Sequence, residues 1–299
     1  MAEAAIEVRG LTKAYGPVQA VSGVDLTIGT GEIFALLGPN GAGKTTTVEI
    51  LEGFTPRDGG DVSVLGRDPA ANDSKQKARI GIVAQETAAD PYLTVVELVR
   101  MIAGTYPRRR PVDEVIELVG LKDKRKTRAG RLSGGQQRRL DVALALVGDP
   151  DLLFLDEPTT GFDPDARLEA WAMIRGLRAL GKTVLLTTHY MEEAQQLADR
   201  VAVIARGRII AEGTPDTLGG RAHAASRIRF RLPPDAPPLP DGIVANDGVV
   251  LSDTPVRLLN QLTGWALAQG VALDGLEVAR PSLEETYLNL IAQDAEAQS

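Results

Sequence analysis

The sequence predicts an α/β fold over about the first 215 residues, followed by a small α+β domain. Short apolar runs of strand length alternate with helical patterns along this first part, which is the order expected of a largely parallel sheet. Several runs are continuously apolar, as expected of strands that are covered on both faces. The predicted strands lie at residues 33–37, 80–83, 152–155, 184–187 and 201–204.

The remainder of the chain has the pattern of a separate small domain. Gly219 and Gly220 mark its start, and the segment 232–240 (LPPDAPPLP) is too rich in proline to form a regular interior element. We therefore expect two domains, 1–220 and 221–299. The predicted elements of the second are strands at 228–232, 248–251 and 271–278, a helix at 255–269 between Thr254 and Gly270, and a last helix that opens at Pro281.

Composition argues against several classes of function. The 299 residues carry a formal net charge of −7, whereas a general nucleic-acid binder presents a basic face. The absence of cysteine excludes disulfides, thiol catalysis and cysteine metal sites, and it suits a reducing cytoplasm. The N-terminus lacks the pattern of a secretory signal, and no run approaches the ~20 apolar residues of a membrane helix. Any work at a membrane is therefore expected to need a separate membrane chain.

Residues 38–46 read GPNGAGKTT and match the pattern of a phosphate-binding loop, G-x-x-x-x-G-K-[ST]. An apolar strand precedes the loop and a helical stretch follows it, which disfavours the alternative of a glycine-rich turn that binds nothing. Lys44 can reach the β and γ phosphates of a nucleotide, and the Thr45 hydroxyl can coordinate Mg²⁺. The candidate ATP-binding residues of this loop are Gly38, Pro39, Asn40, Gly41, Ala42, Gly43, Lys44, Thr45 and Thr46.

Two acids end the apolar run LLFLDE at 152–157. Because ligands bind at the carboxyl ends of strands in open α/β sheets, we expect Asp156 to anchor Mg²⁺ and Glu157 to orient or deprotonate the attacking water. His189 ends another apolar strand, TVLLTTH, and is expected to bond the γ-phosphate or to hold the water and Glu157. The alternatives are a strand that ends in solvated acids and a histidine with a structural role. Catalytic roles are predicted for Glu157, His189 and Lys44.

Two further polar side chains are ambiguous from their chemistry alone. Gln85 follows the strand at 80–83, where its neutral amide could ligate Mg²⁺ or could simply be exposed. Tyr15, in the segment LTKAYG, could stack on adenine or belong to a half-buried core.

The segment LSGGQQ at 132–137 is a second candidate anion site. Ser133 is suited to cap the helical run that follows, and the two glycines expose backbone N–H groups. One nucleotide does not need two separate cradles for its γ-phosphate. One resolution is that the second cradle serves the nucleotide of a second chain.

In this order, GPNGAGKTT, Gln85, LSGGQQ, LLFLDEPTTGFDP and His189 closely resemble the nucleotide-binding subunit of ABC transporters, over roughly residues 6–215. The resemblance implies a P-loop NTPase domain with a RecA-like core and a helical subdomain at about 86–150. It also implies ATP and Mg²⁺ as cofactors. The metal contacts implied are Thr45, Gln85 and Asp156, and Tyr15 becomes the residue that stacks on adenine.

The same resemblance implies a head-to-tail homodimer that binds two ATP molecules in its interface. Each ATP would lie between the loop at 38–46 of one chain and Ser133, Gly134, Gly135 and Gln136 of the other. Asp163 would lie in the loop that links the two sites. The stretch after Gln85, up to about Leu98, would contact a separate multi-spanning permease, which places the protein at the cytoplasmic face of the membrane.

Three features are similar to the daunorubicin-resistance type of exporter. These are Phe162 in GFDP, the tail beyond residue 220 and the ending PSLEETYLNL. They predict the energising of export of a drug-like or other hydrophobic substrate.

Other functions within the same superfamily stay open. The ATPase motifs alone do not set the direction of transport, so an importer subunit is one alternative. A ribosome- or DNA-associated ATPase is another, although the gap at 47–131 lacks the sustained heptads of the DNA-repair type. A regulator that binds ATP without turnover is disfavoured because Glu157 and His189 are both present.

Overall fold

The computed structural model describes residues 4–84, 89–240, 242–245 and 248–296. The chain forms two compact units, Met1–Pro215 and Asp216–Ser299, and the division falls slightly before the boundary at residue 220 that the sequence suggests. Within the described residues, every helix is too short or too polar to span a bilayer.

The first unit alternates strands and helices, as the sequence predicts. Its elements are β1 (Ala4–Tyr15), β2 (Val18–Gly29), β3 (Ile33–Leu37), α1 (Lys44–Glu52), β4 (Gly59–Val64), α2 (Ser74–Lys77), β5 (Ile80–Val83), α3 (Val95–Ala103), α4 (Val112–Leu118), α5 (Gly134–Leu146), β6 (Leu152–Asp156), α6 (Pro164–Ala179), β7 (Thr183–Thr188), α7 (Met191–Leu197), β8 (Arg200–Ala205) and β9 (Arg208–Gly213).

A six-stranded sheet in the order β5-β6-β7-β3-β8-β9 forms the centre of this unit. All neighbouring pairs are parallel except β8 and β9. All residues of β3 and β7 are buried, which explains the continuously apolar sequence of β3 and the apolar centre of β7. The carboxyl ends of β3, β6 and β7 lie side by side, so the residues that follow these three strands meet at one edge of the sheet. All five strands predicted for this unit are confirmed.

A three-stranded antiparallel sheet in the order β2-β1-β4 covers part of the same core. Its inward side chains, such as Ile6 and Val24, pack with Phe34 of β3 and Phe154 of β6. β1 and β2 are joined by the turn after Tyr15, and their pairing ends at Tyr15 and Val18. This hairpin therefore places the aromatic ring of Tyr15 at the end of the antiparallel sheet.

Helices α3, α4 and α5 lie between β5 and β6 in the chain, within the segment predicted to be helical. Capping boxes start two of them, with Thr94 and Glu97 at α3 and Ser133 and Gln136 at α5. Each box satisfies backbone donors at a helix N-terminus. The prediction of Ser133 as an N-cap is confirmed.

The second unit is a small α+β arrangement around a core that includes Ile228, Phe230 and Leu262. Its described residues form the elements β10 (Ser226–Arg231), β11 (Val249–Ser252), α8 (Pro255–Gln269), β12 (Asp274–Ala279) and α9 (Leu283–Glu296). The strands β10, β11 and β12 pair as an antiparallel sheet in the order β11-β10-β12.

Two predictions for this unit are corrected at their boundaries. The last strand begins at Asp274 instead of residue 271, because the bulged edge of β10 pairs only from there. The last helix begins at Leu283 instead of Pro281, because Ser282 exchanges hydrogen bonds with Glu285 and so caps it.

Candidate nucleotide-binding and catalytic site

The loop 38–43 connects β3 to α1 and closes tightly against neighbouring backbone. Gly43 caps α1 with a φ of 101°, and a Cβ at this position would collide with the carbonyl of Ala20. A Cβ at Gly38 would collide with the carbonyl of Ile204. Glycine is therefore required at both positions. Since Gly43 offers no side-chain cap, the N–H groups in the first turn of α1 are suited to bind an anion.

The ammonium group of Lys44 lies against this loop. Its Nζ donates to the carbonyl oxygens of Gly38 at 2.7 Å and Pro39 at 3.1 Å. Burial lowers the pKa of Lys44, and the carboxylates of Glu157 and Asp156 oppose that shift. A cation between a helix N-terminus and two carboxylates is suited to a phosphate chain that arrives with a divalent metal.

The end of β6 is fixed by its neighbour β7. The hydroxyl of Thr187 donates to Asp156 Oδ1 and accepts from the Glu157 N–H at 3.1 Å. The same N–H lies 3.2 Å from the carbonyl oxygen of Thr187. One threonine thus sets the position of both carboxylate-bearing residues.

Glu157 and His189 meet across the ends of β6 and β7. Glu157 Oε1 lies 3.1 Å from His189 Nδ1, and the Thr160 hydroxyl donates to Oε2 at 3.1 Å. The Glu157 side chain is 14% exposed and that of His189 is 37% exposed. The pair is therefore held in one geometry while a water molecule can still approach it.

Glu157 also has a strained backbone. Its φ is +44°, in the left-handed region that costs a residue with a Cβ about 1–2 kcal/mol. Conformations of this kind persist where the surroundings fix them, and they are concentrated at active sites.

The segment Ser133–Gln136 starts α5 and lines a separate open cleft of about 830 Å³. Glu157 and Asp163 line the same cleft, whereas the loop 38–43 does not contribute to it. Asp163 caps α6, with its Oδ1 accepting from the Ala166 N–H at 2.8 Å. The predicted second anion site therefore lies in a cleft that the loop 38–43 does not line, although Glu157 contributes to it.

Two predicted site residues remain, Tyr15 and Gln85. Tyr15 ends β1 and is 48% exposed, with Lys13 Nζ 5.4 Å from its ring centroid. It lies on the β1–β2 hairpin, whose second strand places the carbonyl of Ala20 against Gly43 of the phosphate loop. Gln85 lies outside the described residues.

The residues present fit ATP with Mg²⁺. The glycine cradle would be filled by a Cβ at Gly38 or Gly43, and Thr45 at the start of α1 is exposed. A hydroxyl and a carboxylate are oxygen ligands of the kind that Mg²⁺ takes alongside phosphate oxygens. The fold and the site together define a P-loop ATPase.

Sequence reasoning missed the residues that hold the site together. Thr187 and Thr160 position Glu157, and Arg138 of α5 donates to the carbonyl oxygens of Ala84, Asp156 and Pro158. The signal available for Arg138 was a charged residue on a buried face of a helix, since Val142, four residues further along the same face, is also buried. Its partners are backbone carbonyls, which carry no sequence pattern.

Comparisons with known proteins give the family. Residues 21–160 match the ABC transporter family, and residues 226–282 match the C-terminal domain of ABC transporter domain-containing protein-like chains. The daunorubicin resistance ATP-binding protein DrrA3 of Streptomyces coeruleorubidus is 38% identical over 98% of both chains. The chain belongs to the ATP-binding subunits of ABC transporters, and it is an ATPase.

Further relatives match a shorter part of this chain. The Nod factor export ATP-binding protein I of Burkholderia lata is 45% identical over 73% of each chain. A solved ATP-binding subunit of an ABC transporter superposes with a TM-score of 0.64 and 26% identity, over 71% of this chain and 90% of that one. A dimeric ATP-binding cassette bound to ADP and phosphate gives 0.62 and 25%, over 70% and 98%.

Proposed function

We propose that this ATPase energises the export of a drug-like or other hydrophobic substrate through a separate membrane permease. The observation that carries the proposal is the match along 98% of both chains to a daunorubicin resistance protein, which extends over the second unit. The Nod factor export relatives match only 73% of this chain. A second daunorubicin resistance protein also matches 98% of this chain, whereas a third matches 76%. The second unit is therefore shared with two of these three drug-resistance relatives.

ATP is proposed to bind with its phosphates on the loop 38–46 and with Lys44 at the β and γ phosphates. Thr45, Asp156 and Gln85 would hold Mg²⁺, which when bound neutralises charge on the phosphates. Tyr15 would stack on the adenine ring.

Hydrolysis is proposed to start with Glu157, which accepts a proton from a water molecule or orients it. The water oxygen forms a bond to the γ-phosphorus as the bond to the β–γ bridging oxygen breaks, releasing ADP and inorganic phosphate. His189 would hold Glu157 in position through the 3.1 Å contact. Lys44 would stabilise the charge that develops on the transferred group.

The active form is proposed to be a homodimer that closes on two ATP molecules. One observation supports this proposal. The cleft beside Ser133–Gln136 is not lined by the phosphate loop of the same chain, so a nucleotide in that cleft would have to be held by another chain. A related cassette has been solved as a dimer bound to ADP and phosphate. In the closed dimer, the exposed N-terminus of α5 would contact the γ-phosphate held by the partner chain.

ATP-dependent dimerisation is expected in a variant that binds ATP without hydrolysing it. Glu157→Gln with MgATP should elute from a sizing column as a dimer, because unhydrolysed nucleotide stays in the interface. Adding Ser133→Arg to that variant should return it to a monomer by placing a bulky cation in the second cradle. A monomer in both cases would contradict the shared-interface proposal.

The permease is proposed to dock at an apolar groove of about 270 Å³ on the first unit. Phe54, which is 65% exposed, lines the groove together with Ile82, Tyr106 and Leu144. Ile82 belongs to β5, whose end leads into the segment from Gln85 to about residue 98. Docking there would place the protein at the cytoplasmic face of the membrane.

The carboxyl of Glu52 lines this groove and gives a prediction for stability. The pKa of Glu52 is raised from 4.5 to about 8, mainly by burial and to a smaller extent by the negative charges of Asp156 and Glu49. Between these pH values the folded state binds more protons than the unfolded state, so stability falls as pH rises. Glu52→Gln should remove this loss. In the absence of nucleotide, the stability gained by the variant over the wild type should therefore be larger at pH 8.5 than at pH 5, by on the order of 4 kcal/mol.

The measurement is urea unfolding of the wild type and the variant at both pH values. Exposed Glu114 supplies the matched control, Glu114→Gln, for which no pH-dependent difference is expected. An equal effect of Glu52→Gln at pH 5 and pH 8.5 would rule out the raised pKa.

The export proposal is tested with inside-out membrane vesicles that contain this chain and its permease. Daunorubicin, the compound in the names of the relatives, is the first probe. ATP-dependent accumulation of daunorubicin or of another hydrophobic compound in a panel is expected. Accumulation in right-side-out vesicles alone would show import instead and would contradict the proposal.

A further inference from the structure

Arg138 is a buried cation that donates hydrogen bonds to three backbone carbonyl oxygens of the described residues. The residue is 8% exposed and lies in the second turn of α5. Its Nε donates to the carbonyl oxygen of Pro158 at 3.4 Å, and its two terminal nitrogens donate to those of Asp156 and Ala84. A planar guanidinium can bond several acceptors in a fixed geometry, which a lysine ammonium cannot do.

Two of these carbonyls bracket Glu157. The Asp156 and Pro158 carbonyls belong to the residues immediately before and after it, while Thr187 holds its N–H. Since Glu157 has a φ of +44°, its conformation depends on such contacts. Arg138 and Thr187 together fix the peptide groups on both sides of the strained residue.

The third carbonyl belongs to a different segment. Ala84 follows β5 and directly precedes Gln85. The side chain itself belongs to α5, whose N-terminus carries Ser133 and Gln136. One guanidinium therefore joins α5, the end of β5 and the backbone around Glu157. A displacement of α5 or of the Ala84 backbone must either break these bonds or move Glu157.

We propose that Arg138 is a positioning residue that holds Glu157 in the hydrolytic geometry and ties that geometry to the positions of α5 and Ala84. The inference rests on the proposed catalytic role of Glu157. Through this contact, ATP hydrolysis follows the arrangement of the helical segment, while ATP binding at Lys44 does not depend on it.

The test is steady-state ATP hydrolysis by Arg138→Met and Arg138→Lys in the full-length chain. Misplacement of a reacting group by about 1 Å can cost on the order of 10²-fold in rate. We expect kcat to fall by about that factor in Arg138→Met and by about tenfold in Arg138→Lys, with KM for ATP within about threefold of the wild type. With MgATP, Arg138→Met should accumulate the dimer expected for Glu157→Gln.

The matched control is Arg110→Met. Arg110 is a partly buried arginine that is ion-paired with Glu114 and Asp149 and lies beside α4. Equal losses of kcat in Arg110→Met and Arg138→Met would reduce Arg138 to a general role in folding and overturn the proposal. If Arg138→Met does not fold, the split between kcat and KM in Arg138→Lys decides the question, and a wild-type kcat in that variant would overturn the proposal.

Glu157→Gln is measured in parallel, so that the catalytic role of Glu157 and the positioning role of Arg138 can be refuted independently. Loss of activity in Glu157→Gln with wild-type kcat in both Arg138 variants would overturn the role of Arg138 alone. Full activity in Glu157→Gln would overturn the catalytic assignment and the inference with it.

Discussion

Replacing Glu157 by glutamine is expected to lower kcat for ATP hydrolysis by about 10²–10⁴-fold. The amide keeps the size of the side chain and can still bond Thr160 and His189, so the local structure should persist. It cannot accept a proton from water at neutral pH. Because Glu157 does not belong to the phosphate cradle, the Kd for MgATP should stay within about threefold of the wild-type value.

Phosphate release and equilibrium binding of a fluorescent ATP analogue measure the two quantities separately. Glu114→Gln removes an equivalent carboxylate from the exposed surface of α4 and should hydrolyse ATP at the wild-type rate. A glutamine variant that kept more than half of the activity would show that another group activates the water.

Replacing Lys44 by alanine is expected to have the opposite profile, with the main loss in ATP binding. Charge-assisted hydrogen bonds are worth roughly 1.5–3 kcal/mol each. Loss of Lys44 should therefore weaken MgATP by at least about 10²-fold and reduce kcat as well. The carbonyls of Gly38 and Pro39 would lose their ammonium partner, so the loop should also become less ordered.

Isothermal titration of the variant with MgATP tests this expectation. Lys75→Ala is the matched control, because Lys75 is an exposed lysine on the short helix α2. If Lys44→Ala bound MgATP with wild-type affinity and had a normal melting temperature, Lys44 would not contribute to ATP binding.

The elements that position the site could be predicted because their signals are local. The buried strands β3, β6 and β7 contain apolar runs that are visible in the sequence. The functional residues come directly after these runs in the chain. Parallel pairing then brings the loop after β3, the acids after β6 and His189 after β7 to one edge of the sheet. The contact between Glu157 and His189 follows from this topology.

The supporting contacts could not be predicted because they join distant backbone atoms. Arg138 recognises the carbonyls of Ala84, Asp156 and Pro158 through packing of α5 on the ends of β5 and β6. No residue type at those three positions is required for a carbonyl to accept a hydrogen bond. The left-handed φ of Glu157 also has no local signal, since the residue is not a glycine.

In the second unit, helix α8 was predicted with its bounds because proline and glycine mark its two ends. The start of α9 was misplaced because two signals compete there. Pro281 is suited to the first position of a helix, but Ser282 with Glu285 forms a capping box. The reciprocal hydrogen bonds of the box determine the start.

The measurement that tests the central claim most directly is purification of this chain from native membranes, in about 1 M salt to screen surface charge. The proteins that remain bound are identified, and the ATPase activity of the complex is compared with that of a Glu157→Gln complex. We expect a multi-spanning membrane protein to remain bound and the activity to disappear in the variant. Recovery of only ribosomes or DNA would contradict the role as the ATPase of a membrane exporter.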